Sequence, residues 1–382
     1  MKIVMITDSY FPTRDGVVTS ITIAKEGLER AGHEVIVVAP DPGKEQRMDG
    51  VRYFPSIKFK SYPGYFIPVY PSNKAEIIRS LDPDVIHIHG MAVMALKGIV
   101  ASKHLRIPVA LTFHTMVEDT IEFYSPIKTF PEVQKKAVWV YLRRLLKAAD
   151  AVIGPSASTI DELLKNNVKP KRTEIIPTGV DIARFHPDRD GNAMREKHGL
   201  RDEKVALYVG RLSFEKNIDT IINALSRIND MKLLIAGKGP ARDHLEKVAK
   251  ASGVADRIIF AGFVPDDELP QLYAAADLFV SASEFETQGL SVLEALSCGL
   301  PVACADKRAF ADVIKDGING FLFDGVEGCA DAMRACITCG DEVRKSARAT
   351  AESLSVDSCV EKLVKLYADL KKMNDMRTHI TR

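Results

Sequence analysis

Residues 284–301 read EFETQGLSVLEALSCGLP and contain a strand-to-helix connection. The apolar residues 277–282, just before them, predict a buried strand. Gly289 then begins a short apolar segment, residues 290–298, which predicts a helix that ends at Gly299. A helix that begins at a glycine after a strand exposes unpaired backbone N–H groups and the positive end of its dipole. This connection therefore predicts a site for an anion such as a phosphate.

Two glutamates flank the start of this predicted helix. Glu286 lies just before it, and Glu294 lies about one turn inside it. A carboxylate accepts several hydrogen bonds, so two carboxylates beside a bound phosphate suit the hydroxyl groups of a sugar and of a ribose. For an arbitrary protein, the simpler explanation is a βα unit whose glutamates are only solvated.

The spacing Glu-x7-Glu and the surrounding ETQGLSVLEALSCGLPV resemble the signature of the retaining glycosyltransferases of family four. The resemblance implies an α/β protein of the GT-B fold, with two Rossmann-like domains facing each other across a cleft. It also implies that a hexose moves from a nucleotide-diphosphate sugar to an acceptor. Glu286 would bind sugar hydroxyls and Glu294 the ribose, and Gly289 and Leu290 would provide backbone contacts to the donor.

Length and composition are those of a soluble protein with two domains. The chain has 382 residues, of which 46% are hydrophobic and 27% are charged. Residues 1–180 contain 24 basic and 19 acidic residues, a net charge of +5, whereas residues 181–382 contain 28 and 32, a net charge of −4. This small difference does not indicate a nucleic-acid partner, although the first half is compatible with an anionic surface.

The cysteines and the N-terminus indicate a reduced, cytoplasmic protein. Cys336 and Cys339 form one Cys-x-x-Cys pair without a second pair, and a zinc site needs four ligands, so we expect no metal. The sequence begins directly with a predicted strand, and no apolar run approaches the ~18 residues that would span a bilayer. We therefore expect neither a signal peptide nor a transmembrane segment.

The loop after the first predicted strand ends at Gly16, where a helix begins. A dinucleotide-binding fingerprint would need three glycines, G-x-G-x-x-G, and their absence excludes a dehydrogenase of that kind. The loop instead resembles the family-four loop in which a glycine lets the backbone approach the donor diphosphate. The family usually has two adjacent glycines, whereas Gly16 is followed by Val17. The resemblance makes Gly16 a donor contact and Tyr10, in the same loop, a candidate acceptor contact.

Residues 109–114 predict a parallel strand that ends at His114. In open α/β sheets ligands bind at the carboxyl ends of the strands, so His114 lies where chemistry is expected. In the family, a histidine at this position faces the donor sugar. The sequence TFH followed by TMVED resembles the glycolipid-forming, diacylglycerol glucosyltransferase-like members in particular. His87 and His89 alternate with apolar residues on another predicted strand and are expected at the same edge of the sheet.

The βα pattern restarts after residues 181–199, a polar segment that we interpret as a linker. Residues 205–210 predict the first strand of a second Rossmann-like domain, and the following RLSFEKN resembles the family motif G-R-x4-K-N. Arg211 and Lys216 are five residues apart and can hold a diphosphate from two directions. Val264 ends a later strand, at the position where the family binds the nucleotide base.

These patterns predict an N-terminal acceptor domain, residues 1–180 with a C-terminal helix 357–382 crossing back to it, and a donor domain, residues 181–356. The resemblance near His114 favours UDP-glucose as donor and a diacylglycerol-like lipid as acceptor, giving an α-linked glycolipid. GDP-mannose with a phosphoinositide or glycan acceptor is the alternative. No cofactor is required beyond the nucleotide sugar, which is the donor substrate, and Mg²⁺ would at most stimulate transfer.

The implied catalytic residues are His114, Glu286, Arg211 and Lys216, of which the two cations neutralise the departing diphosphate. Two other classes of protein remain open. One is a non-catalytic protein that binds nucleotide sugars. The other is a GT-B epimerase that acts on the nucleotide sugar itself and needs further acid–base carboxylates.

A basic helix and an aromatic loop in the first half predict contact with an anionic membrane. Residues 133–150 form a helical pattern that contains five basic residues and Trp139, with no acidic residue before Asp150. Residues 58–74 mix aromatic residues and lysines in a loop broken by proline and glycine. The alternatives are an ordinary surface helix and a loop packed on its own domain. We expect a cytoplasmic protein that binds peripherally to the inner face of the cell membrane.

Overall fold

The computed structural model describes residues 1–13, 15–58, 66–69, 74–114 and 131–380. Within these residues the chain forms two compact units, each built on a parallel sheet flanked by helices. The first unit contains Met1–Gly179 and the segment that begins at Val356, and the second contains Val180–Ser355. The prediction of two Rossmann-like domains is confirmed.

The first sheet has seven parallel strands among the described residues, in the spatial order β3-β2-β1-β6-β7-β8-β9. They are β1 (Lys2–Thr7), β2 (Glu34–Pro40), β3 (Val51–Phe54), β6 (Val85–His89), β7 (Val109–Thr112), β8 (Ala151–Gly154) and β9 (Thr173–Ile175). The short strands β4 (Ser56–Lys58) and β5 (Phe66–Pro68) pair with each other antiparallel. Strands such as β1, in which Ile3 to Thr7 are all buried, are apolar because helices cover both faces of the sheet.

Helices cover this sheet on both sides, and the last helix of the chain is one of them. The helices are α1 (Gly16–Arg30), α2 (Lys74–Leu81), α3 (Val93–Leu105), α4 (Pro131–Ala148), α5 (Ala157–Lys165) and the C-terminal helix (Val356–Ile380). The C-terminal helix packs on α1 and on β6, and its Tyr367 is fully buried. The Tyr367 hydroxyl forms a hydrogen bond of 2.6 Å with His87 Nδ1, which joins the C-terminal helix to β6 in the middle of the first sheet.

The second sheet has six parallel strands in the spatial order β12-β11-β10-β13-β14-β15. They are β10 (Lys204–Val209), β11 (Met231–Ala236), β12 (Ile258–Gly262), β13 (Leu278–Ser281), β14 (Val302–Ala305) and β15 (Phe321–Phe323). The helices are α6 (Asn192–Lys197), α7 (Ile218–Leu225), α8 (Arg242–Ala251), α9 (Leu269–Ala274), α10 (Leu290–Ser297), α11 (Arg308–Val313), α12 (Gly325–Thr338) and α13 (Asp341–Ser353). The predicted strand and helix on either side of Gly289 are β13 and α10.

Residues 181–199 are a folded part of the second unit, so their interpretation as a linker is wrong. Phe185 and Met194 are buried in the core of that unit. The Arg348 guanidinium, on α13, donates to the carbonyl oxygens of Ile182 and Phe185 over 3.1 and 3.0 Å. The segment is mostly polar in composition, which suggested a linker, but its few apolar side chains are enough to hold it against the second unit.

A substitution at Gly27, on α1, tests how closely the C-terminal helix packs on α1. A Cβ atom at Gly27 would lie 2.5 Å from Val360 Cγ2 and 2.9 Å from Val356 Cγ1. Because valine has few rotamers in a helix, the C-terminal helix must move to admit it. We expect Gly27→Ala to lower the free energy of unfolding by about 1–3 kcal/mol.

The matched control is Gly16→Ala, on the same helix. Among the described residues, none has an atom within 4 Å of a Cβ at Gly16, and alanine favours the helical conformation. Thermal denaturation of both variants is the measurement. Equal midpoints for the two would contradict close packing of the C-terminal helix on α1.

Candidate active site

The connection from β13 to α10 provides backbone donors at the carboxyl edge of the second sheet. Gly289 caps α10 in the left-handed conformation, with φ 79° and ψ 65°. A Cβ atom there would lie 2.4 Å from Phe310 Cε1, so glycine is required by both conformation and space. The first helical hydrogen bond runs from the Val292 N–H to the Gly289 oxygen, so the N–H groups of Leu290 and Ser291 come before it. The structure thus has the helix start that the sequence predicted for an anion.

Lys216 and Glu286, which are 70 residues apart, form an ion pair. Lys216 ends a short 3₁₀ helix after β10, and Glu286 lies in the loop after β13. Lys216 Nζ donates to Glu286 Oε1 over 2.6 Å, and about a fifth of each side chain is exposed. Because β10 and β13 are neighbours in the sheet, their loops meet at the same edge. The two predicted site residues are therefore brought together.

Arg211 is held by a carboxylate that the sequence analysis did not single out. Arg211 Nη2 donates to Glu215 Oε1 over 2.8 Å, and Ser213 Oγ donates to the same oxygen over 2.6 Å. Glu215 is buried, whereas nearly half of the Arg211 side chain is exposed. Glu215 thus fixes the guanidinium from its inner side. The signal that would have found it is its spacing of four residues from Arg211 within the RLSFEKN motif.

Glu294 accepts a hydrogen bond from Tyr273, a residue of α9 that the sequence analysis also missed. The Tyr273 hydroxyl donates to Glu294 Oε2 over 2.6 Å. Burial raises the pKa of Glu294 to about 7, while the hydrogen bond from Tyr273 and the charge of Arg184 act in the opposite direction. The carboxyl group is therefore poised to ionise near neutral pH when a ligand donates hydrogen bonds to it.

Glycines bring the loops after β10, β11 and β12 close together. A Cβ atom at Gly237 would lie 1.8 Å from the Gly210 oxygen, and the Gly237 N–H donates to the Gly262 oxygen over 2.7 Å. Val264 follows Gly262 in the loop after β12. It packs against the core of the second unit and remains partly exposed.

In the first unit, Gly16 begins α1 and Asp15 caps it by accepting from the Val18 N–H over 2.9 Å. Tyr10, in the same loop, has only 7% of its surface exposed and packs into the core beside Ile21. This burial argues against the predicted acceptor contact through Tyr10.

His114 follows β7 at the carboxyl edge of the first sheet and lies beside His89 of β6. His89 Nδ1 and His114 Nε2 are 3.1 Å apart. Burial lowers the pKa of His114 to about 4, against the opposing charge of Asp15, and lowers the pKa of His87 to about 3. These histidines are therefore neutral at neutral pH. The TMVED segment that follows His114 lies outside the described residues.

The membrane prediction needs correction on α4. Trp139 is 5% exposed and belongs to the core of the first unit, so the prediction that it contacts a membrane is wrong. On the helix Trp139 lies on the same side as the buried Leu142 and next to the half-buried Val138, and this side of the helix faces the core. Lys135 pairs with Glu132, an acidic residue in the first turn of α4. Most of the aromatic loop at 58–74 lies outside the described residues.

The described residues contain neither a helix that could span a membrane nor a cluster of metal ligands. None of the helices there combines the length and the apolar character that crossing a bilayer requires. In the same part of the chain, no three histidine, cysteine, aspartate or glutamate side chains come together as a set of metal ligands.

Two family models match this chain. The model described as Glycosyltransferase Family 4 matches residues 14–184, and the model described as Glycosyl transferases group 1 matches residues 190–354.

Relatives of known activity match most of the chain. An alpha-monoglucosyldiacylglycerol synthase of Streptococcus pneumoniae is 30% identical, over 100% of this chain and 89% of that protein. The enzyme of the same name from Acholeplasma laidlawii is 32% identical over 85% of each chain. A GDP-mannose-dependent alpha-mannosyltransferase of Mycolicibacterium smegmatis is 30% identical over 88% of each chain. Among solved structures, Anabaena HepE in complex with UDP is similar in fold, with a TM-score of 0.79 and 21% identity over 97% of this chain and all of that one.

The ionisation of Glu294 gives a prediction for the ligand-free protein. Its pKa in the folded protein, about 7, lies above the ordinary value of 4.5. The stability it contributes is therefore fully present below pH 4.5 and is lost as the pH rises through about 7. Glu294→Gln cannot ionise, so we expect its melting temperature to rise relative to that of the wild type between about pH 5 and pH 8.

Tyr273→Phe serves as a comparison in the same measurement. It removes a hydrogen bond that lowers the pKa of Glu294, so the wild-type loss of stability should move to higher pH. If the melting temperatures of the wild type and of Glu294→Gln changed with pH in parallel from about pH 5 to pH 8, the result would contradict a protonated Glu294 in the folded protein.

Proposed function

The chain belongs to the retaining glycosyltransferases of family four, and we propose that it moves glucose from UDP-glucose to a diacylglycerol-like lipid, forming an α-linked glycolipid. The observation that carries this proposal is the similarity to two alpha-monoglucosyldiacylglycerol synthases over 100% and 85% of the chain. The arrangement of the second unit supports a nucleotide-sugar donor, because cations, carboxylates and a helix start meet at one edge of its sheet.

The donor diphosphate takes the place of Glu286, the carboxylate that holds Lys216 in the ligand-free protein. Lys216 turns from Glu286 to a phosphate oxygen, and Arg211 keeps its contact with Glu215 while its exposed side binds the diphosphate. The backbone N–H groups of Leu290 and of Gly16 bind the remaining oxygens. Negative charge grows on the diphosphate as the glycosidic bond breaks, so these donors stabilise the transition state more than the ground state.

Glu286 and Glu294 then select the donor through its hydroxyl groups. Glu286, released from Lys216, accepts hydrogen bonds from the sugar. Glu294, at the second turn of α10, accepts from the ribose, and the backbone at Val264 binds the base. His114 of the first unit binds a hydroxyl of the donor sugar. No step in this scheme calls for a cofactor, and Mg²⁺ would act only as a counter-ion to the diphosphate.

A GDP-mannose-dependent mannosyltransferase is the second candidate function. The specific observation in its favour is the 30% identity to the Mycolicibacterium smegmatis enzyme over 88% of the chain. The two candidates share the same diphosphate site and differ in the base and the sugar. Neither Glu286 nor Glu294 distinguishes glucose from mannose on charge alone.

The decisive experiment supplies the purified protein with one donor and one acceptor at a time. UDP-glucose and GDP-mannose are each offered with diacylglycerol or phosphatidylinositol in phosphatidylglycerol vesicles, and products are identified by mass spectrometry and NMR of the anomeric carbon. We expect an α-linked monoglucosyldiacylglycerol. Mannolipid from GDP-mannose would overturn the preferred donor, and a β-linkage would overturn retention. Conversion of the nucleotide sugar without acceptor would indicate an epimerase, and binding without any product a non-catalytic protein.

Arg211→Ala and Lys216→Ala test the diphosphate site. We expect each to lower the rate of transfer about 10- to 100-fold, because a hydrogen bond to a charged group contributes roughly 1.5–3 kcal/mol. Lys247→Ala, an exposed lysine on α8, is the matched control and should transfer as the wild type does. The measurement is the initial rate at saturating acceptor. Wild-type turnover in a folded Arg211→Ala protein would contradict this role.

We also propose that the exposed sides of α3 and α4 bind an anionic membrane. Leu96 and Val100 of α3 are 50% and 60% exposed, and with Val93 they form an apolar stripe along one side of the helix. Helix α4 contacts α3, and its exposed side carries Val133 and Val140.

Three exposed cations on α4 accompany these apolar side chains: Lys136, Arg144 and Lys147. Apolar side chains that enter the headgroup region, with cations beside them, match the surface of a bilayer that contains anionic lipids. Such a position would bring the protein to a lipid acceptor without a spanning helix.

Substitution of Lys136, Arg144 and Lys147 by serine tests this surface. Arg143 is kept, because it donates to the Asn166 oxygen within the first unit. Each basic residue near an anionic bilayer contributes on the order of 1 kcal/mol, so we expect binding to fall at least tenfold.

The control replaces three exposed lysines elsewhere in the same unit: Lys44, Lys165 and Lys169. Sedimentation with phosphatidylglycerol vesicles at low and high salt is the measurement, with UDP binding followed in parallel. Equal losses in both triple variants would mean that net charge, and not this surface, governs binding.

A further inference from the structure

Three histidine rings lie side by side where β6 and β7 end. His87 and His89 project from the same face of β6, with ring centroids 3.9 Å apart. The rings of His89 and His114 are nearly parallel, 20° apart in orientation, with centroids 5.3 Å apart. All three rings line a cavity of about 30 Å³, together with Ser20 and Thr178, whose hydroxyls are hydrogen-bonded to each other.

His87 uses both of its ring nitrogens for contacts within the fold. Nδ1 lies 2.6 Å from the Tyr367 hydroxyl and Nε2 lies 2.7 Å from Thr112 Oγ1, so both nitrogens are hydrogen-bonded, one as donor and one as acceptor. This arrangement leaves no ring donor unpaired. His87 therefore joins the C-terminal helix to the sheet and has no nitrogen left for His89.

His89 has one partnered nitrogen and one that is buried without a partner. Nδ1 faces His114 Nε2, whereas Nε2 has no hydrogen-bond partner among the described residues. Burial lowers the pKa values of both rings, so each neutral ring carries one N–H. Between Nδ1 of His89 and Nε2 of His114 there is room for one proton only.

The buried Nε2 atom decides which ring supplies that proton. If His89 carried its proton on Nε2, a buried N–H group would have no acceptor among the described residues, which is unfavourable. If His89 carries its proton on Nδ1, that N–H donates to His114, and only a lone pair on Nε2 is left unpaired. In proteins, a buried N–H donor without a partner is rarer than a buried acceptor without one, so we place the proton of His89 on Nδ1.

We propose that His89 is a positioning residue that sets the tautomer of His114. By donating Nδ1–H to His114 Nε2, it confines the His114 proton to Nδ1. His114 then offers its substrate an N–H donor and not a lone pair, and it binds a hydroxyl oxygen of the donor sugar without acting as a base. The part of this statement that concerns the sugar rests on the function proposed above, whereas the link between the two histidines does not.

The tautomer is measured directly by long-range ¹H–¹⁵N correlation spectra of the full-length, ¹⁵N-histidine-labelled protein at neutral pH without ligand. We expect a protonated Nδ1 and an unprotonated Nε2 at His114. In His89→Leu, which has no donor, His114 should shift toward the Nε2–H form that prevails in water. His89→Asn has an amide N–H that can replace Nδ1–H and should restore the wild-type pattern. Tyr367→Phe, which removes a partner of His87 only, should leave His114 unchanged.

Kinetics connect the tautomer to transfer. With UDP-glucose and diacylglycerol, we expect His89→Leu to lower kcat at least tenfold with little change in the KM for the acceptor, and His89→Asn to recover part of the loss. A loss of packing alone would not separate these two variants.

The proposal is overturned if wild-type His114 is protonated on Nε2, a result that requires no variant to fold. It is also overturned if a folded His89→Leu protein keeps the Nδ1–H form. If the spectra are as expected but no donor sugar is transferred or bound, the proposed function fails while the link between His89 and His114 stands.

Discussion

The ion pair between Lys216 and Glu286 is the contact on which the proposed donor site of the second unit depends. It joins the loops that follow two neighbouring strands, β10 and β13, and both charges are mostly removed from solvent. A charge in such a position is costly when its partner is removed, so each side chain holds the other at the edge of the sheet. A bound diphosphate can satisfy the lysine and release the carboxylate at the same time. The contact that organises the ligand-free site is thus also the one that the proposed donor would exchange.

Much of the fold followed from local sequence. Short apolar runs bounded by glycine and polar residues predicted the strands, and Gly289 predicted the start of α10, because glycine adopts the left-handed conformation found there at the least steric cost. Lys216 and Glu286 were predicted to share a site only through the family resemblance. They come together because β10 and β13 are adjacent in the sheet. The order of strands in a sheet cannot be predicted from the periodicity of apolar residues along the sequence.

Sequence analysis missed contacts in which one residue acts on a neighbour. Glu215 holds Arg211 and Tyr273 holds Glu294, and His89, which was expected only at the same edge of the sheet, contacts His114. The Tyr273–Glu294 bond joins two helices, and the His89–His114 contact joins two strands, so neither has a local signature. Trp139 was misjudged for a related reason. Its helix presents basic residues outward, and only the packing against the sheet shows that the indole faces the core.

Burial gives the two units a common electrostatic property. Removal from water penalises the charged form of either group, which lowers the pKa of His114 in the first unit to about 4 and raises the pKa of Glu294 in the second to about 7. A neutral histidine can discriminate between donors and acceptors, which an imidazolium cannot, since both of its nitrogens donate. For Glu294 the consequence differs, because a carboxylate accepts more hydrogen bonds from a ribose than a protonated carboxyl does. In the function proposed above, a nucleotide whose ribose binds Glu294 would draw off the proton of this carboxyl group, at a small cost in free energy because its pKa, about 7, is already close to neutral. The hydrogen bond from Tyr273 favours the same ionisation.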